Sequence, residues 1–496
     1  MDASVVDDFL SSKLSVFYGM VIIAQMKHSF SQPGEEDLRE LSLLLGENGL
    51  SSAPEDLRSA ASDYTEDLEF LPVAVAYPAT AAEVATVLAF CNARNFAVTP
   101  RGAGTGLSGG SLPVFGGISL HTSRLNRILH IDKENFQATV EPGVINEVFK
   151  QAVEAEGLYY PPDPASRGSC FLGGNIAHSS GGPRAVKYGT TRDYVLNLQV
   201  ALPGGELIWT GANTVKNSTG YNLTQLMVGS EGTLGIVTKI VFKLIALPSQ
   251  RLLLLAPFAD PIAACRAVNQ ILLSGIVPAA LELMERSGVE MSMRTTRTSF
   301  PLADGADTFL MIELDGDDQG LLQTQAEQIL PVLEEAGAID VMMADTAALA
   351  EQWWKVRRSI GEAVKSESIY KEEDTVVPRA ALPDLMAAVK RIGEAYGFRS
   401  VCYGHAGDGN LHVNILRDQL SDQEWNQEVP KAIRELFGVC KDLGGTISGE
   451  HGIGLVQAPY LDIVFQPIHF QLMRGIKQVF DPNGILNPGK WVEKAG

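Results

Sequence analysis

The chain has 496 residues, room for two or three domains, and its 45% hydrophobic and 20% charged content is ordinary for a soluble globular protein. Its formal charge of −20 argues against nucleic acid as a partner, because phosphates demand a basic face, and against simple adsorption to an anionic membrane. The five cysteines, Cys91, Cys170, Cys265, Cys402 and Cys440, lie far apart without a C-x-x-C. That excludes a cysteine-ligated iron–sulfur cluster within this chain, argues against a disulfide framework, and makes a reducing compartment the default.

The first 25 residues form an uninformative extension. Its apolar run "VFYGMVIIA" is shorter than the ~20 residues a bilayer span needs. Asp2, Asp7 and Asp8 carry the wrong sign for a targeting leader, and Met20 and Met26 are alternative starts. A first domain is expected over 26–248, with a core at 66–247 where glycine turns alternate with short strands such as "ISLHTS", "QATVEPGV" and "LGIVTKIVFKLIALP". A helix is expected at "TAAEVATVLAFCNAR", where apolar residues recur every three or four positions. From 249 to 430 long helices ("TQAEQILPVLEEAG", "LPDLMAAVKRIGEAYG") alternate with strands ("FLMIELDG", "HVNILR"), which predicts an α+β module. The stretch 431–496 reads as helical and ends "FDPNGILNPGKW".

The string "PRGAGTGLSGG" (100–110) contains a G-x-G-x-x-G pattern, yet the helix that a Rossmann site requires does not follow it. "SLPVFGGISLHTSRL" follows instead, so the loop lies between two strands. Small residues let several backbone N–H groups converge on one anion, with Thr105 and Ser108 adding hydroxyls. The theme recurs at "CFLGGNIAHSSGG" (170–182) and at Gly229, Ser230, Gly232 and Thr233. Singly, each loop reads as a tight turn. The three in one domain can embrace a dinucleotide with a pyrophosphate and a large planar ring.

A second constellation lies in "VCYGHAGDGNLHVNIL", read as strand, glycine turn, strand. His412 and Asn414, two apart, share a strand face, and His405 sits in the turn. "TISGEHGIG" supplies Glu450 and His451. A lone loop histidine is more often a bystander than a ligand. Two imidazoles and a carboxylate nevertheless make a divalent site with open positions, suited to zinc, manganese or iron, and a free imidazole follows.

"PRGAGTGLSGG", "YPPDPAS", "GGNIAHSSGG", "KYGTTRDYV", "VGSEGTLGIVT" and "FDPNGILNPGKW" together resemble the vanillyl-alcohol-oxidase type of FAD enzymes. Within it they resemble the D-2-hydroxyacid dehydrogenase branch of D-lactate dehydrogenases, D-2-hydroxyglutarate dehydrogenases and the glycolate oxidase FAD subunit. The resemblance covers about 60–496 and implies an α+β chain: an FAD-binding domain, a cap domain and a C-terminal segment returning to the flavin. It implies FAD contacts from Pro100, Arg101, Gly102, Gly104, Thr105, Gly106, Ser108, Gly109 and Gly110. Pro162, Asp163, Gly173, Gly174, Asn175, Gly181, Gly182 and Tyr188 would follow, then Glu231, Gly232, Gly235, Ile236 and Val237, and finally Asn487 and Lys490. The first loop holds no His or Cys, which points to non-covalent FAD, with His178 the residue that stands against this.

The resemblance further implies that His405, His412 and Glu450 bind the metal, that His451 is the base, and that Asn414 orients substrate. Arg357, three residues after Trp354, and Lys371, after Tyr370, would bind the substrate carboxylate. Gly361 departs from the hydroxyglutarate-specific pattern, which has a hydroxyl residue there. The reading is oxidation of a D-2-hydroxy acid such as D-lactate or glycolate, with electrons passed to quinone, cytochrome or an electron-transfer flavoprotein. The alternatives are the flavin subunit of a glycolate oxidase assembly, a non-redox alkylglycerone-phosphate synthase, and a flavin-binding protein without catalysis. A cytoplasmic protein, or one peripheral at the inner membrane face, is expected, as a homodimer or with partner subunits.

Overall fold

The computed structural model describes residues 30–65 and 68–491, so the 1–25 extension lies outside the described residues. Three larger sheets organise the chain. The first joins Leu50–Ser51, Ala74–Ala76, Ile118–His121 and Val98–Arg101, the last three parallel. The helix Ala81–Arg94 covers it, capped by Thr80, whose side chain accepts from the Glu83 N–H, and ended by Asn95 in the left-handed region. The first glycine loop runs from strand Val98–Arg101 to strand Ile118–His121, so it opens no Rossmann helix. The second glycine stretch is partly helical: Leu172–His178 forms a short helix in which a Cβ on Gly173 would come within 2.6 Å of Pro142.

The second sheet is antiparallel and has five strands, with Ile236–Lys243 at its centre between Gln137–Val140 and Val195–Ala201. The third is antiparallel and has seven, in the order Met342–Met343, Gln250–Phe258, Thr308–Gly316, Ala280–Glu285, Arg399–Gly404, Asn410–Leu416, Tyr370–Val376. One of its faces packs Leu281, Leu283, Ile312, Val413 and Ile415 into a large apolar core with Leu385, Ile433 and Phe437 from the helices behind. Helices Val429–Asp442 and Pro467–Phe480 follow, but of the stretch between them only Leu461–Val464 is α-helical, where helix was expected throughout. Gly444, Gly452 and Gly454 take positive φ there, and the chain runs as an extended loop into the gap between the sheets. All five cysteines are buried and unpaired. Among the described residues no helix is long and apolar enough to cross a membrane.

Candidate active site

A cavity of about 500 Å3 lies in that gap. One side is built from glycine-rich backbone: Pro100, Arg101, Gly102, Gly104, Thr105, Gly106 and Gly110, then Gly173, Gly174 and Asn175, then Glu231, Gly232, Gly235, Ile236 and Val237. Ala103 to Gly106 all line the cavity, and among the described residues their N–H groups have no acceptor, the condition an anion nest requires. Gly104 takes φ +73°, and a Cβ there would strike the Arg101 guanidinium. Asn175 Nδ2 is buried without a partner, and a Cβ on Gly174 would meet nothing within 4 Å, pointing into open space. A phosphate-bearing, planar ligand such as FAD fits this wall.

The opposite wall is the polar face of the seven-stranded sheet. His405 follows strand Arg399–Gly404, and His412 and Asp374 stand opposite each other in register on neighbouring strands. His405 Nε2 lies 3.1 Å and His412 Nε2 3.7 Å from Glu450 Oε1, with the ligand atoms of the three within 4.8 Å of one another. Two imidazoles and one carboxylate at this spacing suit a divalent cation with open coordination positions. The His451 ring stacks on His412, centroids 5.1 Å apart and planes 8° off parallel.

Charge compensation explains how so many polar groups share a buried place. Burial opposes protonation of His405, but Glu282 and Glu450 outweigh it and hold the imidazole well above its ordinary value. Burial and the neighbouring His451 push His412 down to about 3, leaving it neutral. Burial raises Glu450, yet His405, His412 and His451 together bring it down to about 2. For His451 burial is overcome by Asp374, Glu372 and Glu450, which raise it.

Two supporting carboxylates escaped the sequence reading. Glu282, fully buried, accepts from His405 Nδ1 at 2.9 and 3.0 Å and pairs with Arg357 Nη2 at 2.6 Å. It fixes which His405 nitrogen faces the cavity. Asp374 Oδ2 accepts the backbone N–H groups of Gly449, Glu450 and His451 at 2.7–2.8 Å, pinning the Ser448–Gly454 loop to the sheet. From the other side Glu231, at φ 53°, accepts the N–H groups of Ile453 and Gly454, both at 2.8 Å. The one available signal for Glu282 is its place between Leu281 and Leu283 in the largely apolar run "ALELME"; Asp374 is hidden in the charged run "YKEEDTVV".

Several expected contact residues brace the cavity instead of lining it. Ser108 donates to His451 O at 3.1 Å, Gly109 N to Thr65 Oγ1 at 2.6 Å, and Gly181 N to Glu450 Oε2 at 3.0 Å. Gly182, at φ 121°, lies against Asp163, and Pro162 is buried beside it. Asp163 faces away from the cavity because it pairs with Lys150 at 2.7 Å and Arg167 at 3.1 Å. Tyr188 donates to Asp315 at 2.8 Å. Asn487 donates to Gly110 O and Glu231 O, and Lys490 to Leu112 O at 2.6 Å, so both tie loops together.

Asn414 is fully buried on the strand face that carries His412, in register with Glu372, and donates to Val401 O at 3.4 Å. One further expectation needs correction. Lys371 points to the opposite face of the sheet, its Nζ 5.0 Å from the Trp425 ring centroid. Strand alternation gives the cavity Tyr370 and Glu372 instead. Arg357 does line the cavity, buried beside Tyr403.

Two family models match, "FAD binding domain" over residues 72–211 and "FAD linked oxidases, C-terminal domain" over 247–491. The D-lactate dehydrogenase of Anaerostipes hadrus is 40% identical over 82% of this chain and 87% of its own. The glycolate oxidase subunit GlcD of Bacillus subtilis is 39% identical over 87% and 91%. The D-2-hydroxyglutarate dehydrogenase of Xanthomonas citri pv. viticola is 36% identical over 90% and 94%. Among solved structures, p-cresol methylhydroxylase aligns with a TM-score of 0.74 at 18% identity, covering 92% of this chain and 96% of that one. Alkyldihydroxyacetonephosphate synthase aligns at 0.72 and 19%, covering 94% and 88%; both show the fold alone. With its vanillyl-alcohol-oxidase-type fold, paired FAD domains and such relatives, the chain belongs to the family of FAD-dependent D-2-hydroxyacid dehydrogenases.

Proposed function

We propose that the chain oxidises a small D-2-hydroxy acid to the 2-oxo acid, using non-covalent FAD and a divalent cation held by His405, His412 and Glu450. The convergence of those three ligand groups across the cavity from the glycine wall carries this reading. FAD supplies a hydride acceptor, and the cation a Lewis acid for the substrate hydroxyl. Arg357 presents its guanidinium to the substrate carboxylate. His451 takes the hydroxyl proton. Asp374, Glu372 and Glu450 raise the His451 imidazole above its ordinary value, so committing Glu450 to a cation removes part of the field that opposes its work as a base. Electrons then leave to a separate acceptor of the quinone, cytochrome or electron-transfer-flavoprotein type, because the separated cysteines offer no cluster ligation. A cytoplasmic or peripheral location, and a homodimer or a glycolate-oxidase-type assembly, accord with this role.

Anaerobic bleaching of the flavin by D- and L-2-hydroxy acids, with and without chelator, tests it. Bleaching by the D-acids alone, lost on chelation and restored by zinc or manganese, is expected. His451→Asn is expected to keep the flavin spectrum while its reduction slows ~100- to 10,000-fold. Full-speed reduction in chelator or in His451→Asn overturns the corresponding assignment.

A further inference from the structure

The family contains enzymes for different 2-substituents, and the cavity wall beside Arg357 distinguishes among them. Gly361 lies on helix Ile360–Glu367, which covers this end of the cavity. A Cβ on Gly361 would lie 2.7 Å from Tyr403 Oη, so the tyrosine occupies the volume a side chain at 361 would use. Tyr403 is held in place from both sides, 5.1 Å from the His412 ring centroid and 5.0 Å below the Arg357 guanidinium. Its hydroxyl donates to Glu372 Oε1 at 3.2 Å. Glu372 Oε1 in turn lies only 3.9 Å from His412 Nδ1, so a carboxylate borders the metal-ligand cluster at this end.

Arg357 pairs with Glu282 through Nη2 and keeps a buried Nε without a partner, which leaves it for one substrate carboxylate. Of the other Lys and Arg side chains lining the cavity, Arg358 is paired with Glu351 at 3.0 Å, and Lys365 is exposed at the mouth, donating to Tyr64 O at 3.3 Å. We infer that Gly361, Tyr403 and Glu372 form a short, anion-rejecting end to the substrate pocket, so that the enzyme takes 2-hydroxy acids with a small uncharged 2-substituent and refuses dicarboxylates. The inference rests on the oxidation proposed above and goes further by fixing the substituent. One carboxylate of the substrate is matched by Arg357; a second one would meet the Glu372 carboxyl, and the imidazole beside Glu372, His451, is already engaged as the base.

The test is anaerobic flavin reduction by the holoenzyme with glycolate, D-lactate, D-2-hydroxybutyrate, D-malate and D-2-hydroxyglutarate. The monocarboxylates are expected to exceed the dicarboxylates at least 100-fold in second-order reduction rate. Dicarboxylate rates within tenfold of D-lactate overturn the inference while leaving the oxidation intact. Reduction by none of the five overturns both. In Glu372→Gln the ratio of D-malate to D-lactate rates is expected to rise at least tenfold, whatever the absolute rates; an unchanged ratio removes Glu372 from the argument. Tyr403→Leu, checked by flavin absorbance for an intact fold, is expected to raise the rate with D-2-hydroxyhexanoate relative to D-lactate at least tenfold. No gain there shows that Tyr403 does not limit the pocket.

Discussion

The seven-stranded sheet has two faces made from alternate residues of the same strands. Behind it, Leu281, Leu283, Ile312, Leu411, Val413 and Ile415 meet helices in an almost wholly apolar layer. In front, Glu282, Glu372, Asp374, Tyr403 and His412 face the glycine wall. Each buried polar group in front requires a partner, because an unpaired one costs several kcal/mol. Glu282 therefore serves His405 and Arg357 together, and Asp374 gathers three loop N–H groups. The back face stabilises through area and needs no such matching. The front face also carries an apolar cluster, with Met284, Phe309, Met311 and Val401, so its polar groups occupy one part of a face that elsewhere stabilises as the back does.

That division can be broken at chosen points. Ile312→Ala on the back face is expected to cost about 2–5 kcal/mol, seen as an earlier urea midpoint, with flavin reduction per folded molecule unchanged. A matching loss of chemistry would show that the faces are not separable. In front, Glu282→Gln is expected to weaken zinc binding ~10- to 100-fold with little change in the urea midpoint, read by competition with a chromophoric chelator.

Glu373 tests the boundary from behind. Burial raises its carboxyl to about 7, Gln457 donating to it at 2.9 Å. Because the folded value lies above the unfolded one, stability is greatest below about pH 4.5 for this group and declines as pH rises towards 7. Glu373→Gln is expected to stabilise by on the order of 2 kcal/mol at pH 8 and to be near neutral at pH 5, read from melting temperatures at the two values. Lys371→Met should have the smallest effect, leaving the KM for D-lactate within about twofold, since the ammonium lies behind the sheet on Trp425. A tenfold rise would return Lys371 to the substrate.

The parts legible in the sequence are local. A glycine loop, a turn between two strands and a G-E-H-G frame each announce themselves within a dozen residues, and all line one cavity. Glu282 is invisible in this sense, since its partners stand 75 and 123 positions away. The resemblance puts forward Lys371 as the Lys that follows a Tyr, but strand alternation sends it behind the sheet while Tyr370 and Glu372 come forward. Asp163 and Asn487 sit in the right segments, but contacts between segments decided what their side chains hold.

The loop from Ser448 to Gly454 is fastened on both banks, to Asp374 on one and to Glu231 on the other. A strap stitched at both edges ties the glycine wall to the seven-stranded sheet. Tyr64 and Lys365, which line the same cavity, meet through a hydrogen bond and a cation–π contact and add a second tie between those halves.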